Sequence, residues 1–396
     1  MLDLKTLRDV DFNNKKVIMR LDFNVPIIDG KITDDNRIVQ SIKTIKYVLD
    51  NNASSIILLS HLGKVKEESD KKTNSLKIIL PRLEELLNVK IDFIKNTSGN
   101  DMIEELSNSN SIIKLVENTR FEDLNNKKES NCDNQLSKFW ASLADIFVFD
   151  GFGVSHRNHA SVAGIAKYIE TCIGFLVEEE INKINTILEE NTHPFIIIMG
   201  GAKVKDKIPI INNLIDKCDK LIIGGAMAFT FLKAQGYNIG LSLLDEDAIE
   251  FCNNLLNNYK SKLVLPIDVV TNKRQNINIT EIDDDEIGYD IGLNTINLYK
   301  DIISDASRII LNGTMGKNEE IAYCKGTKEI FTYLSNLNIK VLVGCGYTAS
   351  AVKELNLADK FYHVSTGGGA TLEFMAGNIS EIFKLASISS GKNAKF

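Results

Sequence analysis

The sequence lacks several features that would place it in a large class of proteins. Its six cysteines are scattered and form no CxxC pair, which argues against a zinc site or a disulfide framework. No run of 18 uncharged apolar residues occurs, so we expect no transmembrane helix. The opening residues, MLDLKTLRDVDF, show no apolar signal-peptide segment. We therefore expect reduced thiols and a cytoplasmic protein without a membrane partner.

Positive charge is scarce as well. The 396 residues carry a formal net charge of −7, which argues against a nucleic-acid partner because phosphate backbones require a basic surface. The chain has 38 lysines and only eight arginines, a bias that an AT-rich genome can produce. Against this background a retained arginine is informative, and Arg37, Arg120 and Arg157 become candidate functional residues.

The chain is long enough for two domains. Short runs rich in Ile and Val alternate with stretches of helical periodicity, which predicts an α/β fold of parallel sheets flanked by helices. The predicted strands are 17–20, 55–60, 112–116, 145–150, 194–199, 220–223, 262–266, 308–311, 340–343 and 362–364. A hairpin is expected at 27–32, with its turn at Asp29-Gly30.

An amphipathic stretch at 174–190 predicts a connecting helix between two domains, because apolar residues follow a helical stripe with acidic residues opposite. The acidic segment 283–286 is interpreted as a solvated loop.

Polar side chains follow the predicted strands of the first half. In parallel sheets, ligands bind beyond the carboxyl ends of the strands, so these side chains should share one crevice. Any one of them alone would more simply be a surface charge, but together they suit a small polyanion such as a phosphorylated acid, since arginine matches phosphate and carboxylate geometry. They are Asp22, Asn24, His61, Lys64, Arg120 and Arg157, with Arg37 at the start of the next helix.

Glycines follow the strands of the second half. One glycine pair would be explained by a turn, but glycines after five strands suggest backbone amides that approach phosphate oxygens. Neither a Walker loop nor a dinucleotide GxGxxG is present. The glycine segments are 200–201, 224–225, 313–316, 344–346 and 367–369.

These motifs, in this order along nearly the whole chain, resemble phosphoglycerate kinase. The similar segments are 20–26, 35–38, 60–64, 117–121, 150–161, 174–176, 200–208, 224–229, 312–319 and 365–374. The resemblance implies two Rossmann-like lobes, each a parallel β-sheet flanked by helices, joined by a connecting helix. It also implies that the C-terminal tail returns to the first lobe. The expected domains are 1–173 with 386–396, the helix 174–190, and 191–385.

The resemblance also implies an activity: reversible glycolytic phosphoryl transfer between 1,3-bisphosphoglycerate with ADP and 3-phosphoglycerate with ATP. Mg²⁺ accompanies the nucleotide, and hinge closure of a monomer brings the substrates together. Arg37 and Lys203 are the implied catalytic residues. The implied phosphoglycerate-binding residues are Asp22, Phe23, Asn24, Arg37, His61, Lys64, Arg120 and Arg157. The implied nucleotide-binding residues are Lys203, Lys207, Gly224, Gly225, Gly292, Asn312, Glu319, Cys345, Gly346, Tyr347 and Thr348. Gly367, Gly368 and Gly369 would form a phosphate loop, and Asp206 would lie near the metal.

The departures from the family pattern concentrate in the nucleotide lobe. Tyr347 stands where the family has a metal-binding aspartate, and a phenol is a poor ligand for a hard cation. Lys64 replaces a more usual arginine, which keeps the charge. Four interpretations follow: an active kinase, a kinase weakened in metal–nucleotide affinity, a non-catalytic paralogue that binds phosphoglycerate or nucleotide, and another acyl-phosphate-forming kinase.

Overall fold

The computed structural model describes residues 3–124, 126–344 and 346–388. These residues form two compact units. The first contains the described residues of Met1–Asn182 and Ile379–Phe396, and the second is Lys183–Asn378. Within the described residues, no helix is both long enough and apolar enough to span a bilayer.

The first unit is built on a six-stranded parallel sheet with the strand order β5-β6-β4-β1-β7-β8. A separate two-stranded hairpin, β2–β3, lies where the Asp29-Gly30 turn was predicted. The strands are β1 (Lys16–Leu21), β2 (Ile27–Ile28), β3 (Lys31–Ile32), β4 (Ser55–Leu59), β5 (Ile91–Ile94), β6 (Ile113–Val116), β7 (Ile146–Asp150) and β8 (Glu170–Ile173). The two edge strands, β5 and β8, were not predicted.

Helices cover this sheet and bury its apolar side chains. Val17 and Leu58 of the central strands belong to one core cluster with Ile45 and Val48 of the first helix, as expected for a parallel sheet buried by its crossover helices. The helices are α1 (Asn36–Asp50), α2 (Leu80–Leu87), α3 (Gly99–Ser107), α4 (Asn134–Ala141) and α5 (Phe175–Glu189).

Helix α5 contains the boundary between the units, which falls after Asn182. Its first turn is held by Asp150, whose Oδ1 accepts a hydrogen bond from the Val177 amide at 3.1 Å. Near its other end, the Arg308 guanidinium donates to the Ile187 carbonyl at 2.5 Å. A negative group at the amino end and a positive group at the carboxyl end both complement the helix dipole.

The second unit has a second six-stranded parallel sheet, with the order β11-β10-β9-β15-β16-β17, and a small antiparallel sheet, β13-β12-β14. The parallel strands confirm the predicted α/β class, but the antiparallel sheet was not predicted. The strands are β9 (Phe195–Met199), β10 (Lys220–Ile223), β11 (Leu263–Val264), β12 (Asp268–Thr271), β13 (Asn276–Asn278), β14 (Gly288–Ile291), β15 (Arg308–Asn312), β16 (Lys340–Val343) and β17 (His363–Val364).

The acidic segment before β14 only partly fits its interpretation as a solvated loop. Its first three residues are exposed, but Glu286 is buried. The Glu286 carboxylate accepts hydrogen bonds from the Asp283 amide at 3.0 Å and from the Thr271 hydroxyl at 3.2 Å. The interpretation was therefore wrong for Glu286, which ties the loop to β12.

Eight further α-helices follow, seven in the second unit and α13 in the first. They are α6 (Ile208–Leu214), α7 (Met227–Ala234), α8 (Ile249–Asn258), α9 (Leu293–Ser304), α10 (Lys325–Ser335), α11 (Gly346–Glu354), α12 (Gly369–Met375) and α13 (Glu381–Leu385). After α13 the chain pairs with the amino-terminal segment, because the Lys5 amide donates to the Ala386 carbonyl and the Ile388 amide to the Asp3 carbonyl, at 2.9 and 3.0 Å. The rest of the predicted returning tail, 389–396, lies outside the described residues.

Candidate active site

The segments that follow three neighbouring strands of the first unit, β1, β4 and β6, are joined by hydrogen bonds. The Phe23 amide donates to the Ser60 hydroxyl at 2.8 Å, and the Gly63 amide donates to Asn24 Oδ1 at 2.8 Å. Arg120 donates to the Gly63 carbonyl at 2.6 Å. The adjacency of β6, β4, β1 and β7 thus brings the residues predicted after those strands to one edge of the sheet.

Arg37 joins this edge from the first turn of α1. Its guanidinium donates to Asp22 Oδ2 at 2.5 Å, and Asp22 Oδ1 accepts from the Asn24 amide at 3.2 Å. The Asp22 side chain is buried, whereas that of Arg37 is 35% exposed. Asp22 therefore anchors Arg37 while leaving part of the guanidinium accessible.

His61 lies at the centre of this edge and is buried. Burial lowers its pKa well below the ordinary value, and the positive charges of Arg20, Arg120, Arg157 and Arg37 lower it further. The ring is therefore neutral at physiological pH. Because four guanidinium groups act on one ring, they create a common positive potential at this edge of the sheet.

Arg120, Arg157 and Lys64 are the more accessible cations of this edge. Burial lowers the pKa of Arg120, and repulsion from Arg157 is the next cause. Arg120 and Arg157 are partly exposed residues, and Lys64 is an exposed one. Neighbouring like charges that face solvent would be stabilised by a bound anion.

Sequence reasoning missed three buried residues behind this edge: Arg20, Glu129 and Ser161. Arg20 is 1% exposed and contacts His61 Nδ1 at 3.1 Å. Glu129 accepts hydrogen bonds from the backbone amide and the hydroxyl of Ser161. Arg20 carried a usable signal, since it is one of only eight arginines. Glu129 carried none, because its segment reads as a polar loop.

The glycines at the strand ends of the second unit are required by close packing. A Cβ atom on Gly200 would lie 2.2 Å from the Thr314 carbonyl oxygen, and one on Gly224 would lie 2.5 Å from Met315 Sδ. Gly225 has a φ of +64°, and a Cβ there would lie 2.6 Å from the Gly201 amide nitrogen. The four backbone amides at 200, 201, 224 and 225 already donate to carbonyls within the unit. Close packing within the unit is therefore a structural reason for these glycines that the strand-end pattern alone does not reveal.

Lys207 and Asn312 form the polar centre of this edge. Lys207 is buried and donates to Asn312 Oδ1. The Asn312 amide nitrogen is buried without a hydrogen-bond partner among the described residues, so it is a donor available to a ligand. Lys203 and Asp206, from the same segment as Lys207, are exposed.

The other predicted nucleotide residues occupy different environments. Gly292 precedes α9, and Gly346 opens α11, whose Tyr347 is 79% exposed. Thr348 is buried and accepts a hydrogen bond from the Gly313 amide at 2.7 Å. Glu319 is exposed, and Cys345 lies outside the described residues.

The predicted phosphate loop precedes α12. Gly368 has a φ of +54° and open space around its Cβ position. Gly367 is buried and donates its amide to the Ser365 hydroxyl at 3.2 Å. Gly369, the first residue of α12, is exposed.

Comparison with known proteins decides which family these features represent. A family model described as phosphoglycerate kinase matches residues 7–378. The chain belongs to the phosphoglycerate kinase family. It is 48% identical over 387 residues to the phosphoglycerate kinase of Fusobacterium nucleatum, covering 95% of this chain and 97% of that one. It is 47% identical to the Enterococcus faecalis phosphoglycerate kinase, with coverages of 94% and 96%.

Solved structures agree with this assignment. The phosphoglycerate kinase of Coxiella burnetii superposes with a TM-score of 0.86 at 34% identity, covering 98% of this chain and 100% of that one. The Pyrococcus horikoshii phosphoglycerate kinase gives 0.83 at 27% identity, with the same coverages. The comparisons confirm the predicted family, the α/β fold and the activity class, a nucleotide-dependent kinase with a carboxyl group as acceptor.

Phosphoglycerate kinase chemistry implies Mg²⁺ with the nucleotide, and such an ion requires oxygen donors in the second unit. Among the described residues, no group of three or more His, Cys, Asp or Glu side chains could hold a metal. Mg²⁺ bound with nucleotides commonly has one or two protein carboxylates, its other ligands being phosphate oxygens and water. Exposed Asp206 fits the role of a single carboxylate ligand, whereas exposed Tyr347 supplies no carboxylate.

Proposed function

We propose that this chain catalyses the reversible transfer of the γ-phosphoryl group of ATP to the carboxylate of 3-phosphoglycerate, giving ADP and 1,3-bisphosphoglycerate. The observation that carries the proposal is the arginine cluster, defined here as Arg37, Arg120 and Arg157, around neutral His61. Such a cluster suits a ligand with a phosphate at one end and a carboxylate at the other.

The proposed roles in the first unit follow from accessibility and charge. Arg120, Arg157 and Lys64 would bind the phosphate of phosphoglycerate, and His61 would donate a hydrogen bond. Asp22, Phe23 and Asn24 would shape the edge, since each bonds to a neighbouring segment or side chain there. Arg37, anchored by Asp22, would stabilise the charge on the phosphoryl group in transfer.

The proposed roles in the second unit concern the nucleotide. Lys207 and Asn312 would hold its phosphates, and Lys203 would stabilise the phosphoryl group in transfer. Gly224, Gly225, Gly292 and Glu319 would line the nucleoside pocket, together with Cys345, Gly346, Tyr347 and Thr348. Gly367, Gly368 and Gly369 would face phosphate oxygens. Mg²⁺, held by phosphates and Asp206, would neutralise phosphate charge.

The reaction mainly requires that the protein align the reacting groups and stabilise the charge on the phosphoryl group. The substrate carboxylate is itself the nucleophile, so no general base is required. The reacting groups must be aligned and water must be excluded, otherwise ATP would be hydrolysed. Because each unit is proposed to hold one substrate, we propose a hinge movement during the catalytic cycle. A monomer in the cytoplasm is the proposed setting of this glycolytic reaction.

A second candidate function is a weakened or non-catalytic paralogue, favoured by Tyr347 at a position where the family resemblance implies a carboxylate. The two functions are separated by a coupled assay of phosphoglycerate-dependent ATP consumption across a Mg²⁺ titration, with phosphoglycerate binding measured in parallel by calorimetry. We expect turnover that saturates with Mg²⁺. Binding of phosphoglycerate without turnover at any Mg²⁺ concentration would establish the paralogue instead.

A further inference from the structure

A chain of buried polar side chains connects the loop around Glu129 to His61. Glu129 is fully buried, and its carboxylate accepts hydrogen bonds from the Ser161 amide at 2.9 Å and from the Ser161 hydroxyl. The Ser161 oxygen in turn accepts from Arg20 Nε at 2.9 Å. Arg20 Nη2 then contacts His61 Nδ1 at 3.1 Å. Glu129, Ser161 and Arg20 are called the His61 support below.

The chemistry of Arg20 determines the direction of the last hydrogen bond. A guanidinium group has only donors, so His61 Nδ1 must be the acceptor. A ring that accepts at Nδ1 carries its proton on Nε2. In the alternative tautomer, the Nδ1–H group would face the N–H donors of the Arg20 guanidinium. To find an acceptor, the ring would have to turn towards Asp22 Oδ1, which lies 4.0 Å from Nδ1.

Arg20 itself has little freedom to rotate. Besides its hydrogen bonds to Ser161 and His61, Arg20 donates from Nη1 to the Leu21 carbonyl at 2.5 Å. Burial lowers the pKa of Arg20 to about 10, and the charge of Glu129 is the largest influence that opposes this shift. Glu129 therefore offsets part of the cost of burying the Arg20 charge, and it orients the guanidinium through Ser161.

The charges that face the His61 ring come from several elements. Arg20 lies on β1, Arg37 on α1, Arg120 after β6 and Arg157 after β7, while Asp22 follows β1. The four cations oppose a positive ring. The ring therefore stays neutral, and the open question at this residue is which of its nitrogens carries the proton.

We propose that the His61 support holds His61 as the neutral Nε2–H tautomer, so that Nε2 donates a hydrogen bond to an oxygen of the phosphoglycerate substrate. The identity of that substrate rests on the proposed function, whereas the tautomer does not. Glu129, Ser161 and Arg20 are positioning residues, because only His61 would touch the substrate.

The tautomer can be tested without any substrate by ¹⁵N NMR of protein labelled at its five histidines. His61 is assigned from the signals lost in His61→Gln. At pH 7 we expect one protonated nitrogen, Nε2, and one non-protonated nitrogen, Nδ1. A proton on Nδ1, or protons on both nitrogens, would overturn the proposal.

Variants of the support test its cause. In Arg20→Met, Nδ1 loses its donor, so the Nδ1–H tautomer should gain population, and Arg20→Lys should partly restore the original tautomer. In Ser161→Ala, which leaves the buried guanidinium in place, we expect a tautomer mixture and an affinity for 3-phosphoglycerate reduced about fivefold, with ADP affinity unchanged. If Arg20→Met does not fold, Ser161→Ala alone tests the proposal. An unchanged His61 tautomer in Ser161→Ala would show that the His61 support does not determine the tautomer.

The matched control is Glu286→Gln, a buried carboxylate of the second unit, which should change neither the His61 signals nor phosphoglycerate affinity. A change of the His61 tautomer in this control would show that the tautomer change is not specific to variants of the His61 support. If the tautomer behaves as expected but the protein binds no 3-phosphoglycerate, the proposed function fails and the support stands.

Discussion

Arg37 is the residue for which structure and proposed chemistry make the sharpest joint prediction. Asp22 already orients its guanidinium in the free protein, so the Arg37 contact should strengthen mainly as charge develops on the phosphoryl group. We expect Arg37→Ala to lower kcat on the order of a hundredfold, with a much smaller change in KM for 3-phosphoglycerate. Steady-state kinetics with 3-phosphoglycerate and ATP measure both.

The control for this variant is Arg8→Ala, since Arg8 is an exposed arginine of the same unit, paired with Glu178. It should leave both parameters unchanged. If Arg37→Ala instead raised KM and lowered kcat by equal factors, Arg37 would be a ground-state binding residue.

Tyr347 gives a second prediction at this scale. An exposed phenol offers Mg²⁺ no carboxylate oxygen. We expect Tyr347→Asp to reduce the Mg²⁺ concentration for half-maximal turnover by about tenfold, as measured by titration in the coupled assay. Tyr347→Phe should leave it unchanged. An unaltered Mg²⁺ requirement in Tyr347→Asp would show that this position is not at the metal.

Residues were predictable from the sequence where one motif places them at a strand end. Asp22, His61 and Arg120 each follow an apolar strand, and hydrogen bonds link their segments. Glu129 was not predictable, because its burial depends on tertiary packing against Ser161, which lies 32 residues further along the chain. The strand-end glycines show a different difficulty. Their pattern predicts phosphate binding, but close packing around them also requires glycine.

At the scale of elements, Asp150 ties β7 to the first turn of α5. Burial raises its pKa to about 6, against which hydrogen bonds from Thr44, Val177 and Leu176 act. One carboxylate oxygen, Oδ2, is buried without a hydrogen-bond partner among the described residues. Because the folded-state pKa exceeds the unfolded value of 3.8, the folded state binds more protons between these pH values. This contribution to stability is present below about pH 4 and lost as pH rises through about 6.

Asp150→Asn should therefore remove the free-energy cost of burying an ionised carboxylate, a cost that is present only at the higher pH values. At pH 7 we expect the variant to exceed the wild type in free energy of unfolding by up to about 3 kcal/mol, and the difference should shrink towards pH 4. Urea denaturation followed by Trp140 fluorescence measures it in the first unit. Asp9→Asn is the opposite control, because hydrogen bonds from Thr6 lower the pKa of Asp9, so its stabilising contribution is lost at low pH. A variant difference independent of pH would contradict the role assigned to Asp150.

Several of the strands that the sequence predicted are almost continuously buried. Strands β1, β4 and β7 are long apolar runs buried on both faces. The edge strand β5, Ile-Asp-Phe-Ile, is buried only at its two end residues, and β13 is Asn-Ile-Asn with both ends exposed. Such short, partly polar segments are specified by their pairing partners, which a single sequence does not reveal.

The whole molecule consists of two compact units, each with its own buried cluster of apolar side chains. The number of units was predictable because chain length exceeds what one core usually supports. The small antiparallel sheet adds a separate cluster around Phe229 and Val269 to the second unit, and it was not predictable from a segment rich in Asn and Asp.

Two separate cores predict two unfolding transitions. Trp140, the only tryptophan, is fully buried in the first unit and donates to the Thr97 carbonyl at 2.8 Å. Its fluorescence should therefore follow the first unit alone, whereas far-ultraviolet circular dichroism follows both. We expect the two urea denaturation curves not to coincide.

A pair of glycine variants in the second unit shows which unfolding transition belongs to which unit. Gly240 has a φ of +55°, and a Cβ there would lie 2.3 Å from the Glu286 carbonyl oxygen, whereas Gly236, with a φ of +90°, has open space. Gly240→Ala should lower the stability of the second unit by more than about 1 kcal/mol, and Gly236→Ala should cost less because it adds backbone strain without a clash. The circular dichroism curve should shift while the Trp140 curve stays in place. If both curves shifted together in Gly240→Ala, the two units would unfold as one cooperative structure, because destabilising either core would then destabilise the whole chain.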